Sequence, residues 1–297
     1  MPRMSTPSLH RPPRHPHAWW VSLVASQFAV AALWMRYGAG WGVASMFASH
    51  APFLWGTLRP GSHLFSPVIT RMPTDARVVW LTIDDGPSDD TLAILDLLDA
   101  HGARATFFLV GERAERRPEL VREIVQRGHE VANHSHTHPQ AWFWALGPRR
   151  MRREIDTAQR TLTALAGKVP RRFRAVVGMA NPFTAAPLKA HDLTRVGWGA
   201  RGFDAVAKDP AAIVARIERD LAPGAIVLLH EGARHGRNVE TIARLLARLD
   251  VLGYRSIVPG VEYAPEDALH RSSGQTAGQA ATGEPLRIDT PLPGERA

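Results

Sequence analysis

An α/β fold built on a mostly parallel sheet is the class this sequence predicts, and three observations carry the prediction. Apolar runs of strand length, VVWLTI at 78–83, ATFFLV at 105–110 and AIVLL at 225–229, continue with almost no polar interruption, as strands buried on both faces do. Between them lie stretches whose apolar residues recur three and four apart, the spacing of one helix face. Strand and helix patterns alternate from residue 73 to residue 262. That alternation implies crossover connections and parallel pairing, in an open sheet or a barrel.

At the N-terminus, residues 1–17 are basic, rich in proline and free of acid. The run 18–35 (AWWVSLVASQFAVAALWM) carries no charge and reaches the length of a spanning helix. Arg3, Arg11 and Arg14 precede it and favour an N-in orientation. A second uncharged run, 37–58, holds several glycines, His50 and Pro52. It reads as a second span, an interfacial helix or a packed lead-in. One span exports the downstream domain, whereas a hairpin of two returns the chain to its starting side. The expectation is a plasma-membrane anchor within 18–58 and an exported catalytic domain over 73–262.

Within that domain, 92–98 has a helical pattern and 105–110 a strand pattern. Pro118 suits a first helical turn, Leu120, Val121, Ile124 and Val125 share a face, and Gly128 suits the stop. A short strand is expected at 130–132, a helix over 148–165 closed by Gly167, and weaker strands at 173–177 and 194–198. Asp209-Pro210 opens a helix that buries Ile213, Val214, Ile217 and Leu221. The strand at 225–229, a helix over 239–249 ended by Gly253 and a strand at 255–258 complete the series. Residues 264–297 are rich in Ser, Gly, Thr, Pro and Ala without periodicity, and are expected to be disordered.

Composition narrows the chemistry. The absence of cysteine excludes disulfides, thiolate zinc sites and thiol catalysis. The net charge of +8 comes almost entirely from dispersed arginine, and no nucleic-acid module is present, so no nucleic-acid partner is expected. Polar residues collect just after the strands: Asp84 and Asp85 after VVWLTI, the histidines after GHEVAN, His230 and Glu231 after AIVLL, and Asp204 a few residues past RVGW. In parallel α/β folds the carboxyl ends of strands are where sites assemble. Adjacent aspartates point apart, so Asp84 and Asp85 suit two tasks, one as metal ligand and one as proton acceptor. In EVANHSHTHP (130–139) an extended chain puts His134, His136 and His138 on one face, while a helical turn pairs His134 with His138. Two histidines and a carboxylate make a hydrolytic metal site with a position left for water.

TIDDGP, HSxxH at 134–138 and LLH ending at His230, in this order, resemble the polysaccharide deacetylase domain (NodB homology, carbohydrate esterase family 4). The resemblance implies a distorted (β/α)7 barrel. It places Asp84 as general base, His230 as general acid, and Asp85, His134 and His138 as ligands of a divalent metal. Zinc is the default by ligand type, with cobalt and nickel as fits. Arg174 falls on the arginine that orients the base and Asp204 on the acid that tunes the histidine. Val177 offers a backbone N–H to the oxyanion, Leu228 shapes the acetyl pocket, and the Ser135 hydroxyl orders the histidine loop. The implied reaction removes N-acetyl or O-acetyl groups from a cell-wall or extracellular polysaccharide.

Two motifs depart from the family pattern. The third, usually Arg-Pro-Pro-Tyr-Gly, reads Arg174-Ala175-Val176-Val177-Gly178. The fourth has Arg201 where an aspartate is usual, and Ala205 rather than tryptophan follows Asp204. Trp142 and Trp144 are candidates for sugar stacking or for ordinary packing. Two alternatives stay open: a carbohydrate-binding pseudoenzyme, and a barrel amidohydrolase using an HxH pair that includes His136 on a non-sugar amide.

Overall fold

In the computed structural model, which describes residues 18–260, Val78–Gly86 forms the central strand β1 and Ala105–Leu109 its neighbour β2. The expectations for 1–17 and for the tail 264–297 lie outside the described residues. After β1 come α3 (Thr91–Ala100), then β2, α4 (Gly111–Arg116), α5 (Pro118–Gln126), β3 (Glu130–Asn133) and α6 (Pro148–Ala166). There follow β4 (Arg172–Phe173), α7 (Ala185–Ala190), β5 (Thr194–Arg195) and β6 (Ala200–Arg201). The series ends with α8 (Pro210–Arg219), β7 (Ile226–His230), α9 (Asn238–Val251) and β8 (Arg255–Ser256). Two further helices, α1 (Ala18–Tyr37) and α2 (Ala39–Leu58), precede this unit.

Every strand pair is parallel, in the order β5-β4-β3-β2-β1-β7-β6, with β8 beside the start of β1. Alternate side chains serve two cores. Leu81, Ile83, Phe107, Leu109, Val227 and Leu229 pack outward under the helices. Trp80, Phe108, Ala132, Val196 and Ile226 pack on the inner face. There Trp80 Nε1 donates to Thr106 Oγ1 at 2.9 Å, which satisfies the buried indole. The edge strands β5 and β6 are joined only by residues 196–199. Beside them Ile69 forms a parallel bridge to Val196 and Arg71 an antiparallel bridge to Ala225. The sheet thus curls into an incompletely closed barrel.

Several sequence expectations shorten. The strand expected at 173–177 stops at Phe173, because Val176–Gly178 forms a 3-10 turn with Val177 at φ 54°. The one at 194–198 ends at Arg195 as the chain turns toward β6, and the last strand covers Arg255–Ser256 rather than 255–258. Leu221 lies beyond the end of α8. The short elements α4, α7 and β6 had no periodicity long enough to read. The second uncharged run is a complete helix, α2, folded back on α1 across Gly38 at φ 87°. Of the two, α1 is the helix long and apolar enough to cross a membrane by length and composition.

Candidate active site

Five segments deliver polar side chains to the carboxyl end of the curled sheet. Asp84 ends the regular part of β1, paired in register with His230 of β7. The register slips between Asp84 and Gly86, and Asp85 adopts φ 72°. This left-handed conformation is rare outside glycine and tolerated by aspartate. The irregularity lets two adjacent carboxylates reach one site while facing different partners, as the sequence required.

Asp84 faces Arg174. The guanidinium is fully buried and donates from Nη1 to Asp84 Oδ1 at 2.7 Å and to Thr82 Oγ1 at 2.8 Å. Its Nε and Nη2 bond the Val196 and Gly197 carbonyls, and its Cζ lies 4.3 Å from the Phe108 ring centroid. Burial pushes the Arg174 pKa down, and the Asp84 charge opposes that shift. A buried charge paired and bonded on every side holds one geometry. Asp84 is therefore fixed at one oxygen, with the other 3.8 Å from His134 Nε2.

Asp85 faces the histidines. Its Oδ1 lies 3.0 Å from His138 Nε2 and 3.5 Å from His134 Nε2, and the three ligand atoms fall within 4.8 Å of one another. Burial alone would raise the Asp85 carboxyl; the adjacent His134 and His138 outweigh it and hold the group far below the usual carboxylate range. His134 Nδ1 donates to the Arg174 carbonyl at 2.9 Å, so its Nε2 presents a lone pair to the cluster. Asp85 Oδ1 is buried yet has no hydrogen-bond donor among the described residues. An orphaned carboxylate oxygen facing two imidazole nitrogens fits a divalent cation, and the donor set suits zinc-like metals.

His136 is not in this group. Its ring packs against Gly111, where an added Cβ would lie 2.4 Å from its Nδ1. The turned-loop reading therefore holds over the extended one, with Ser135 at φ 68° and His138 at φ 52°. The expectation that the Ser135 hydroxyl orders the loop is not met, because Ser135 Oγ is buried without a partner among the described residues. Glu154 does that work from α6. Its carboxylate accepts from the backbone N–H groups of His136 (3.1 Å) and Thr137 (2.8 Å) and from Thr137 Oγ1 (2.7 Å). Sequence reasoning missed Glu154. The signal was an acid on the apolar face of α6, beside Met151, Ile155 and Leu162.

His230 is set by Asp204, whose Oδ1 lies 2.9 Å from His230 Nδ1 and whose Oδ2 accepts the His230 backbone N–H at 2.7 Å. Burial opposes the imidazolium, but Asp204, then Asp84 and Asp85, push its pKa up to about 9. Glu231, next along, turns away from the site and accepts hydroxyls of Ser88 and Thr91, with burial pushing its pKa up to about 7. Leu228 is buried beneath the site, in register with Thr82. Val177 stands at the rim, 47% exposed. Trp142 and Trp144 are exposed beyond the histidine loop, and the Trp144 indole donates to Ala141.

This fold and this site define a hydrolase of non-peptide amide bonds with a place for a divalent metal. The family model described as polysaccharide deacetylase matches residues 71–196. A chitooligosaccharide deacetylase of Bradyrhizobium sp. (strain ANU 289) is 38% identical over 158 residues, covering 52% of this chain and 71% of that protein. Among solved structures, a peptidoglycan N-acetylglucosamine deacetylase superposes with TM-score 0.60 at 28% identity, over 64% of this chain and 89% of the other. A family 4 carbohydrate esterase from Streptomyces lividans in complex with acetate superposes with TM-score 0.57 at 34% identity, over 62% and 94%. The chain belongs to the polysaccharide deacetylase family.

Proposed function

We propose that residues 73–262 form the catalytic domain of a metal-dependent enzyme that removes N-acetyl groups from a carbohydrate. One observation carries the reading: an oriented carboxylate (Asp84), an oriented histidine (His230) and the cluster Asp85, His134 and His138 converge at the carboxyl end of the sheet. Asp85, His134 and His138 would hold the metal, with Zn2+ as the expected ion and Co2+ or Ni2+ as fits. When bound it supplies Lewis acidity and lowers the pKa of a water.

The chain's own groups account for the rest. Asp84, with one oxygen held by Arg174, takes the proton of the attacking water at its other oxygen. The Val177 N–H donates to the developing oxyanion. His230, kept protonated by Asp204, gives its proton to the departing amine, which leaves as a neutral group rather than as an anion. Leu228 lines the acetyl side. Arg174 and Asp204 act through their partners, as positioning residues. The products are acetate and an amino sugar.

The intact site favours an enzyme over a carbohydrate-binding pseudoenzyme, and the position of His136 argues against an HxH amidohydrolase. The apolar helices of 18–58 serve as the membrane anchor in this reading. A single span at α1 exports the domain, while insertion of α1 and α2 as a unit returns it. The functional test is acetate release by the metal-loaded full chain from N-acetylated chitin-type, peptidoglycan and lipid-carried sugars. Chelation should abolish the release and metal should restore it. Absence of release from every acetylated substrate, with the metal demonstrably bound, rejects the reading.

A further inference from the structure

The N-terminal helices bear on the rim of this same site. Each has 20 residues, hence a length of about 30 Å, the thickness of a bilayer's hydrocarbon core. They pack antiparallel. Gly42 admits the Trp34 ring, since a Cβ there would lie 2.2 Å from it, and Gln27 Nε2 reaches Ser49 Oγ at 3.4 Å. Their outward faces are apolar, with Phe28 74% and Phe47 75% exposed alongside Val24, Val43 and Leu54. Trp19, Trp20 and Trp55 stand at the end nearest the domain, and Trp34, Tyr37 and Trp41 at the turn. Two aromatic girdles separated by an apolar band match the two interfaces of a membrane. No acid occurs in 18–58. An apolar surface of this extent calls for an occupant, and lipid fits its length, its girdles and its single charge, Arg36, placed at the turn.

The end of this hairpin is seated against the candidate oxyanion loop. Pro60 follows α2 after the capping Arg59, and a Cβ built on Gly178 would lie 2.7 Å from its side chain. Phe65 meets Trp19 edge to face at 5.7 Å, while Arg195 Nη2 donates to the carbonyls of Ser62 and Ser66. These contacts put the bilayer surface beside residues 176–178. A second, independent feature lies in the groove. Arg201 pairs in register with Leu228 and so shares its face of the sheet. Its guanidinium lies over the rings of Phe203 (4.0 Å) and Trp198 (5.6 Å), and burial pushes its pKa down. It has no carboxylate partner among the described residues. A cation stacked in place without a counter-ion is prepared for an anionic ligand, and guanidinium geometry matches phosphate oxygens.

We propose that the substrate is an acetylated sugar joined through phosphate to a lipid, with its phosphate at Arg201 and its lipid chain in the bilayer that holds α1 and α2. The inference rests on the deacetylase reading. Its test uses the full chain, metal-loaded, in phospholipid vesicles. Three probes are compared: N-acetylglucosaminyl pyrophosphoryl farnesol in the vesicles, UDP-N-acetylglucosamine, and chitotetraose. The lipid-linked probe should exceed both soluble ones in kcat/KM by at least about tenfold: over chitotetraose by the worth of one charge-assisted hydrogen bond, and over the UDP-sugar, which carries phosphate too, by burial of the lipid chain. Arg201→Gln should reduce the lipid-linked to chitotetraose ratio by about tenfold, and Arg201→Lys should recover most of it. Chitotetraose turned over as fast as the lipid-linked probe, or a ratio indifferent to Arg201→Gln, overturns the proposal. Equal turnover of the UDP-sugar overturns the lipid as a determinant. Loss of acetate release from all three probes rejects the deacetylase reading itself and the inference with it.

Discussion

Removing the charge of Asp204 while keeping its shape, by Asp204→Asn, should move the alkaline limb of the rate profile. The carboxylate touches His230 twice, at 2.9 Å from Nδ1 and 2.7 Å from the backbone nitrogen. Burial disfavours the imidazolium, yet Asp204 leads the charges that hold its pKa at about 9. The sign is that of a raised cation: His230 stays protonated below that pH and loses its proton above it. Without the Asp204 charge the burial remains, opposed only by the lesser effects of Asp84 and Asp85, so the pKa should fall toward the ordinary histidine value of about 6.5, a change of up to about 3.4 kcal/mol. At that limit the protonated fraction at about pH 7.5 drops from about 0.97 to about 0.09, which costs about tenfold in kcat/KM before any loss of orientation. The asparagine amide can also donate toward Nδ1 and favour the wrong tautomer, adding to that loss. Initial rates of acetate release from about pH 5 to about pH 11 measure the limb. A limb that stays in place in Asp204→Asn refutes the assignment of His230 as the acid. The same shift is a stability term, full below about pH 6.5 and lost as the pH rises through the folded value.

Asp85→Asn and His138→Ala should each lower the bound metal per chain in equilibrium dialysis, whereas His136→Ala should retain it. Loss in the His136 variant with retention in Asp85→Asn would restore the HxH site. Glu154→Ala strips three hydrogen bonds from the histidine loop and leaves partly buried N–H groups to water, so denaturant unfolding should show a loss of about 1–2 kcal/mol. Metal affinity in that variant should fall, because the loop that carries both His134 and His138 loses its anchor. If α1 and α2 insert together, as the lipid-linked substrate proposal has it, reporter fusions after residue 70 should read the same membrane side as a tag at the N-terminus. Opposite sides would support a single span and an exported domain.

The buried strands were legible because VVWLTI, ATFFLV and AIVLL must lie between layers, and such runs need no tertiary information. The clusters at 84–85 and 134–138 were legible for the same reason: they sit where those strands end. Short elements were not. β4, β5 and β6 have two residues each, too few for any period, and they exist because neighbouring backbone is already in place. Glu154 escaped notice because its role lies in the N–H groups of a loop 17–18 residues away in sequence. A helix pattern marks an acid on an apolar face as an exception without naming its partner. A hairpin of α1 and α2 was one of several readings of 37–58 and could not be chosen among them, since hydropathy describes each run alone.

The altered third motif shows how a constraint can change its carrier. Without the two prolines usual there, residues 175–178 lose fixed φ angles, and the unfolded chain gains freedom that folding must remove. Val177 nonetheless holds φ 54° and Gly178 φ 75°, so the turn is determined by something other than ring closure. Gly178 is pressed between Trp198 and Pro60, where an added Cβ would fall 2.5 Å and 2.7 Å from side-chain atoms. Its missing side chain is what lets the hairpin base and the barrel wall meet at this loop. Rigidity that proline would supply locally is supplied here by packing from residues 60 and 198, one reached through the N-terminal helices and the other leading into Arg201. Gly178→Ala, which keeps every proposed catalytic group, should therefore both strain the turn and part the hairpin from the rim. If the membrane segment and the site are one device, that variant should lose more turnover on a lipid-carried sugar than on a soluble one.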